Sequence, residues 1–190
     1  MRALEEGGLS VDVLVNDAGF GVYGPFAETA IGKELEMIQV NVMALTHLTK
    51  LLLAGMRARR AGRILNVAST AAFQPGPLMA VYYASKAYVL SFTEALANEL
   101  AGSGVTVTAL CPGPTITEFQ KHAGVAQTRL FRSMLVMNAS EVARAGYEGM
   151  LRGKRLVIPG VGNRLLVQAL RVSPRSFVTA AARRVQESKK

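Results

Sequence analysis

The chain has few of the residues that form disulfides or bind metals. Its 190 residues include one cysteine and two histidines. A single cysteine, Cys111, excludes an internal disulfide and suits a reducing compartment, so we predict a cytoplasmic protein with an inert thiol. His47 and His122 are far apart, and no Cys/His cluster has metal-ligand spacing. We therefore predict no metal site.

Long apolar segments are also lacking. Residues 1–8 do not contain the apolar core of a signal peptide. No uninterrupted apolar run reaches the roughly 18 residues expected of a membrane span. Half of all residues are nevertheless hydrophobic, which is enough to form the core of one domain.

Acidic residues are scarce at the C-terminal end. Residues 151–190 contain ten Lys/Arg and one acid, whereas residues 1–150 contain twelve of each, so the net charge of +9 lies in the C-terminal part. We predict a basic helical tail over 161–190. Such a tail can attract anionic lipid or nucleic acid, but Phe177 is its only aromatic residue, so we favour a solvated or partner-covered helix. Peripheral membrane contact through the tail is the alternative, and no nucleic acid is expected.

Apolar, β-branched runs alternate with amphipathic helices along the chain. Such runs indicate strands covered on both faces, at 11–16, 63–68, 105–110 and 156–158. Helices are predicted from about 29 or 33 to 60, over 81–101, from Ser140 onward, and over 161–186 with a break near Ser173 and Pro174. This alternation predicts an α/β fold with a parallel sheet and right-handed crossovers.

Three residues with reactive side chains follow the strand 63–68. Ser69 comes directly after it, Tyr82 lies thirteen residues later on a helix, and Lys86 follows four residues after Tyr82. Because positions i and i+4 share a helix face, we expect the Lys86 ammonium to lie near the Tyr82 phenol and to lower its pKa. The pair alone is also typical of a solvated helix face.

The other strands also end in polar or small residues. The first ends in the run from Asn16 to Gly19, and the third is followed by the run from Cys111 to Thr117. The carboxyl ends of parallel strands meet at one edge of a sheet, where ligands bind. We therefore expect these two runs to lie close to Ser69.

Two features have competing interpretations. Asn41 lies in an otherwise apolar stretch of the long helix; a buried amide needs partners, so a helix–helix hydrogen bond and a functional role are both open. Residues 19–24 spell G-x-G-x-x-G after a strand, but Pro25 and Phe26 follow and no helix begins there. We do not interpret that run as a dinucleotide-binding turn.

In chain order, these residues resemble the short-chain dehydrogenase/reductase family. The run Asn16-Asp17-Ala18-Gly19 is similar to the Asn-Asn-Ala-Gly motif of that family, with an aspartate in place of the second Asn. Ser69, Tyr82 and Lys86 match its serine and its Tyr-x-x-x-Lys pair, Asn41 matches its fourth catalytic position, and Pro112-Gly113 matches its turn after the sixth strand.

The resemblance covers about residues 10–160 and implies a Rossmann-like, doubly wound parallel sheet. The family opens with Thr-Gly-x-x-x-Gly-x-Gly, and no such motif precedes Val11. We therefore expect an N-terminally truncated fold of about four strands, in which 1–160 is the C-terminal catalytic part of the Rossmann domain and 161–190 is the tail.

The resemblance also implies an NAD(P)-dependent oxidoreductase that transfers hydride between a nicotinamide and a carbonyl or alcohol, with NADP favoured over NAD. Tyr82 would be the general acid/base, Ser69 would hydrogen-bond the reacting oxygen, Lys86 would depress the Tyr82 pKa and hold the ribose, and Asn41 would hold a water of the proton relay. The implied cofactor-binding residues are Asn16, Ala18, Gly19, Val40, Tyr82, Lys86, Pro112, Gly113, Thr115 and Thr117.

A second hypothesis is that the chain is an inactive fragment that binds a partner or a membrane surface, because no glycine-rich turn is present to hold the diphosphate. A homo-oligomer is expected from the resemblance. The segment 115–138 is predicted to be irregular and to cover the substrate pocket. Its apolar residues have two interpretations: they bind an apolar ligand, or they pack the segment onto the core. They are Ile116, Phe119, Leu130, Phe131, Met134 and Met137.

Overall fold

The computed structural model describes residues 7–125 and 136–187, which form a parallel sheet covered by helices. The main sheet contains β1 (Val13–Asn16), β2 (Gly62–Val67), β3 (Val105–Leu110) and β6 (Leu156–Val157), in the order β1-β2-β3-β6. Every neighbouring pair is parallel. This architecture confirms the predicted Rossmann-like α/β fold.

Helices cover both faces of this sheet. On β2, Ile64 packs with Met56 of the helix before the strand and with Leu96 of the helix after it. The next residue, Leu65, packs with Val142 and Met150. Successive side chains of a strand point to opposite faces, so the two clusters lie on opposite sides of the sheet. The α-helices are α1 (Ile31–Ile38), α2 (Leu45–Arg59), α3 (Ala80–Glu99), α4 (Phe119–His122), α5 (Ala139–Leu151), α6 (Val161–Val172) and α7 (Arg175–Gln186).

Strand β1 is less covered than its composition predicts. It begins at Val13 rather than at Val11, and Val13 and Val15 are 42% and 51% exposed. In the part of the chain that the structure describes, β1 pairs only with β2. The prediction of a strand covered on both faces is therefore wrong for β1, since covering depends on neighbours that the strand's own residues do not specify.

The long helix predicted from about 29 or 33 to 60 is interrupted. Between α1 and α2, Gln39–Ala44 forms a π-helical turn, which inserts one residue into the helical repeat. By length and composition alone, the helical segment Ile31–Arg59 is apolar enough to cross a membrane. Of its most apolar window, 22% is buried within the protein. The buried Met37, Leu45 and Met56 fix one side of this segment to the domain.

Two other predictions of local structure are wrong. The helix α5 is preceded by Asn138 as its N-cap, so Ser140 lies inside the helix and does not open it. The segment 115–138 is also more regular than predicted, because β4 (Thr115–Ile116) pairs in parallel with β5 (Met137–Asn138) and α4 lies between them. This pairing joins residues far apart in sequence, which local patterns do not reveal.

The C-terminal residues form two helices, as the break at Pro174 predicts. Helix α6 ends at Val172, and Pro174 is the N-cap of α7. Helix α7 packs through its buried Val178, Ala182 and Gln186.

Candidate active site

A cavity of about 640 Å³ opens at the carboxyl edge of the sheet. Asp17 and Gly19 after β1, Ser69 after β2, and Pro112 after β3 all line it. Helix α3 contributes Tyr82, Tyr83 and Lys86, the middle of α6 contributes Leu166, and the end of α7 contributes Gln186. The motifs that follow separate strands therefore converge in one cavity.

Ser69 is positioned by the turn that it begins. Its backbone is extended, and its hydroxyl oxygen accepts a hydrogen bond from the Ala71 amide at 3.1 Å, as the N-cap of the 3₁₀ turn Thr70–Phe73. The same hydroxyl lies 3.4 Å from the Pro112 carbonyl, to which it donates. It is also positioned to hydrogen-bond the Tyr82 phenol. Ser69 is thus held between the carboxyl ends of two strands.

Tyr82 lies on the first turn of α3, with its ring 5.2 Å from that of Phe119 and 5.9 Å from that of Tyr83, centre to centre. Burial among these groups raises the pKa of the Tyr82 phenol well above its ordinary value, and the hydrogen bond with Ser69 offsets only part of this rise. The Tyr82 pKa is therefore raised, whereas the sequence predicts a lowered one. The nitrogen of Lys86 lies 5.9 Å from the ring centre, and its role in stabilising the phenolate stays a prediction.

Lys86 is buried beneath Tyr82 and is 6% exposed. Its ammonium donates to the Val67 carbonyl at 2.8 Å. Burial lowers the pKa of Lys86 to about 8, while the nearby Asp17 and Cys111 partly counteract that effect.

Burial also raises the pKa of the Cys111 thiol to about 12, so this cysteine stays protonated and unreactive at neutral pH.

Asn41 lies in the π-helical turn and is 2% exposed. Its amide nitrogen donates to the Phe20 carbonyl at 3.0 Å and to the Ser85 hydroxyl at 3.0 Å, and its oxygen accepts from the Phe20 amide at 3.1 Å. The bond to Ser85 is the helix–helix hydrogen bond that one interpretation predicts, and the bonds to Phe20 fix the loop after β1. A role in holding relay water stays a prediction.

Most of the predicted cofactor-binding residues line the cavity. They are Gly19, Tyr82, Lys86, Pro112, Gly113, Thr115 and Thr117. Gln120 fixes the last two, since its side-chain amide donates to the Thr115 carbonyl at 2.9 Å and accepts from the Thr117 amide at 3.1 Å. Ala18 and Val40 are not among the lining residues.

Asn16 also lies away from the cavity lining, in a buried polar network. Its amide donates to the Asn66 oxygen at 2.8 Å and to the Thr49 hydroxyl at 3.1 Å. Asn66 in turn donates to the Thr93 hydroxyl at 2.9 Å. This network ties β1 and β2 to α2 and α3. Sequence reasoning did not single out Asn66, although an asparagine in an apolar strand is the signal that could have found it.

The glycines of residues 19–24 lie in a loop. Helix α1 begins only at Ile31, so these glycines do not open a helix. Gly24 has a φ of 147° and donates its amide to the Leu78 carbonyl at 2.9 Å, which ties the loop to the segment before α3. The run therefore lacks the helix N-terminus that a dinucleotide-binding turn requires.

The lining of the cavity also includes residues that the sequence did not identify. Gln186 at the end of α7 is 1% exposed. Its side-chain amide nitrogen donates to the Tyr83 hydroxyl at 2.6 Å, and its backbone carbonyl accepts from the Tyr23 hydroxyl at 2.8 Å. Burial raises the pKa of Tyr83 to about 12. These contacts join residues more than a hundred positions apart, so no local pattern could have identified them.

The segment predicted to cover the substrate pocket is described only in part. Phe119 and Val125 line the cavity, whereas Ile116 is 60% exposed and so does not pack there. Met137 packs in the cluster of β2, β3 and α5. Leu130, Phe131 and Met134 lie outside the described residues.

The family comparison and the curated relatives agree. The family model described as short chain dehydrogenase matches residues 1–128. The ketoacyl reductase HetN of a Nostoc species is 40% identical over 103 residues, which are 54% of this chain and 36% of that protein. The monensin polyketide synthase putative ketoacyl reductase of Streptomyces virginiae is 47% identical over 105 residues, 54% of this chain and 40% of that protein. The chain thus spans less than half the length of these relatives.

Solved structures extend the similarity to nearly the whole chain. A short-chain dehydrogenase from Sphingobium yanoikuyae in complex with NADPH is 29% identical, with a TM-score of 0.76 over 90% of this chain and 65% of that one. A 7beta-hydroxysteroid dehydrogenase has a TM-score of 0.81 over 95% of this chain and 70% of that one, and at 24% identity it supports the fold alone.

Proposed function

The chain belongs to the short-chain dehydrogenase family, and from this premise we propose that it interconverts a carbonyl and an alcohol with NADP or NAD as the hydride carrier. The observation that carries the proposal is the meeting of Ser69, Tyr82 and Lys86 in one cavity at the carboxyl edge of the sheet. The resemblance to relatives named ketoacyl reductases supports the same reaction class.

The residues of the cavity fit one half of such a cofactor. A Cβ at Gly19 would come within 3.0 Å of the Asn41 side-chain oxygen and 3.5 Å of the Lys86 nitrogen, so this glycine leaves room beside a buried ammonium. Lys86 uses one donor on Val67 and has two more for ribose hydroxyls. Thr115 and Thr117 would hold the carboxamide. When bound, the nicotinamide supplies or accepts the hydride.

Residues 7–125 and 136–187 contain no site that matches the diphosphate half of the cofactor. A glycine-rich turn at a helix N-terminus normally holds that group, and the glycines of residues 19–24 precede α1 by several residues. We therefore assign only the nicotinamide and its ribose to this chain's own residues.

Tyr82 would donate a proton to the carbonyl oxygen. The phenol is protonated at neutral pH, as the acid in a carbonyl reduction must be. The Ser69 hydroxyl would donate to the same oxygen and stabilise the negative charge that develops there. Lys86, still largely charged at pH 7 with a pKa of about 8, stabilises the phenolate that remains after transfer.

We propose an apolar ketone as the substrate. Beside Tyr82, the cavity is lined by Met79, Tyr83, Phe119 and Val125, with the Gln186 amide as a polar group among them. An apolar cavity with few polar groups selects ligands by shape and by one or two hydrogen bonds. Ketoacyl compounds, which the names of two relatives indicate, fit that description.

Calorimetric titration with NADPH and NADH tests the cofactor assignment. We expect a dissociation constant below the millimolar range for either nucleotide, and a loss of about tenfold or more in the variant Lys86→Met, since a charge-assisted hydrogen bond is lost. Lys50→Met, at an exposed position of α2, is the matched control. Millimolar binding, or an equal loss in both variants, would refute the assignment and favour the inactive, partner-binding alternative.

A further inference from the structure

Helix α6 presents an apolar stripe to solvent. Val161, Leu165 and Val172 are 64%, 66% and 86% exposed. On a helix that turns about 100° per residue, they fall within about 40° of one another. Phe177, in the first turns of α7, is also 66% exposed. Four large apolar side chains at the outer side of two consecutive helices are a typical mark of an interaction surface.

The same helices carry positive charge only. Residues 161–186 contain five arginines and no acidic residue. Arg183 pairs with Glu187 at 3.0 Å, and Arg171 lies 6.0 Å from the centre of the Phe73 ring. The exposed side chains of Arg164 and Arg175 have no ion-pair or hydrogen-bond partner in the part of the chain that the structure describes. Their charge is available to an anionic partner.

We propose that this outer face, formed by Val161, Arg164, Leu165, Val172, Arg175 and Phe177 and here called the basic face, docks on the surface of an anionic lipid bilayer. Apolar side chains on a helix that also carries arginines match the two layers of a membrane interface, because the apolar groups enter the acyl boundary while the guanidinium groups stay with the phosphates. The basic face needs no groove, since a bilayer conforms to a convex helix.

A second copy of the chain is a poorer occupant. In a two-fold symmetric dimer, the same patch is present on both sides of the interface. The basic face would then bring Arg164 and Arg175 against their own counterparts with no acidic residue of 161–186 between them. Like charges across an interface weaken it, so self-association through this face is disfavoured.

A nucleic acid is also a poorer occupant. Single strands are bound by aromatic side chains that stack on bases, and Phe177 is the only aromatic residue of 161–190. Arginines strengthen binding to a phosphate backbone, but exposed apolar side chains such as Val161, Leu165 and Val172 add no affinity for it. The combination of apolar and cationic residues therefore points to lipid.

Co-sedimentation of the full chain with large vesicles tests the proposal. One set of vesicles is pure phosphatidylcholine and the other contains about 30% phosphatidylglycerol, since each basic residue at an anionic surface raises the partition coefficient by about fivefold. We expect strong binding to the second set, weak binding to the first, and release of the protein at high salt.

Paired variants show which surface binds. Leu165→Gln with Val172→Gln removes apolar contact, and the control is Ile31→Gln with Leu35→Gln, at exposed positions of α1. Arg164→Gln with Arg175→Gln should lower the partition coefficient about thirtyfold, and the control Arg57→Gln with Arg63→Gln removes the same charge elsewhere. Circular dichroism verifies that each variant is folded.

Four results would overturn the proposal. They are the absence of binding, equal binding to both kinds of vesicle, equal losses in the test and control variants, and a concentration-dependent dimer that Leu165→Gln with Val172→Gln dissociates. The third result would show that binding is not specific to the basic face, and the fourth would assign the basic face to a second copy. None of these measurements depends on catalysis, so they are independent of the proposed oxidoreductase function.

Discussion

At the scale of single residues, burial determines how the two central side chains titrate. It raises the pKa of the Tyr82 phenol and lowers that of the Lys86 ammonium to about 8. Both shifts favour the neutral form, as expected when charge is desolvated. Tyr82 is therefore a protonated acid at neutral pH, and Lys86 keeps its charge only at a cost in stability.

That cost predicts a pH-dependent effect of Lys86→Met. Because the folded pKa of about 8 lies below the ordinary lysine pKa of 10.5, the unfolded chain binds more protons between these values. Lys86 therefore contributes increasing stability as the pH rises through that window. The variant should be more stable than the wild type at pH 7, by on the order of 1–3 kcal/mol. This advantage should shrink by pH 10.

Chemical denaturation of both proteins at several pH values measures this difference. Tyr83 and Cys111 have raised pKa values of about 12, and these act in the opposite direction, since stability is lost as the pH rises past their unfolded values. The comparison with Lys86→Met cancels them. A stability difference that does not change between pH 7 and pH 10 would contradict the lowered pKa.

The identity of the central residues could be predicted, but their ionisation could not. The i, i+4 spacing places Lys86 beside Tyr82, and the position of Ser69 at a strand end places it at the same edge of the sheet. The pKa shifts depend on burial, to which Phe119 contributes from a distant segment of the chain. Spacing along one helix contains no information about that burial.

At the scale of secondary-structure elements, the network of Asn16, Asn66 and Thr93 holds β1 and β2 against α3. Asn66 is fully buried and uses both ends of its amide. We expect Asn66→Ala to lower the free energy of unfolding by about 2–4 kcal/mol, because it leaves a cavity and unpaired polar atoms. Denaturant unfolding measures the change. Asn98→Ala, at an exposed position of α3, is the control, and equal effects would disprove a structural role for the network.

A second element-scale prediction concerns the loop before α3. An added Cβ at Gly76 would overlap the Tyr83 ring, whereas one at Gly32 in α1 would meet no atom within 4 Å. We expect Gly76→Ala to destabilise the protein by about 1–3 kcal/mol and Gly32→Ala to stabilise it by up to about 1 kcal/mol. Thermal unfolding compares them. Equal melting temperatures for the two variants would contradict the close packing of Gly76 on the Tyr83 ring.

The elements themselves were largely predictable, and the exceptions have physical reasons. Apolar periodicity identified the four main strands and the long helices, because both faces of a parallel sheet must be covered. The π-helical turn at Gln39–Ala44 was not predicted, since one inserted residue leaves the apolar pattern nearly unchanged. The pairing of β4 with β5 depends on two short segments about twenty residues apart.

At the scale of the whole molecule, distant parts of the chain meet at the cavity. Its lining includes Gly19 near one end of the described residues and Gln186 near the other. The tail predicted over 161–190 contributes Leu166 and Gln186 to this lining, while its outer face is apolar and basic. Composition predicted the charge of the tail, but the inner contacts required the fold.

The central claim is that Tyr82 delivers a proton in a nicotinamide-dependent carbonyl reduction, and the most direct test is a matched pair of tyrosine variants. The measurement is NADPH oxidation with a panel of apolar ketones, by the wild type, Tyr82→Phe and Tyr83→Phe. Both tyrosines are on α3 and line the same cavity. We predict that Tyr82→Phe lowers kcat by at least about 100-fold, because the general acid is lost, with less than about a tenfold effect for Tyr83→Phe. Retention of most of the rate by Tyr82→Phe, or no NADPH oxidation by the wild type, would contradict the account.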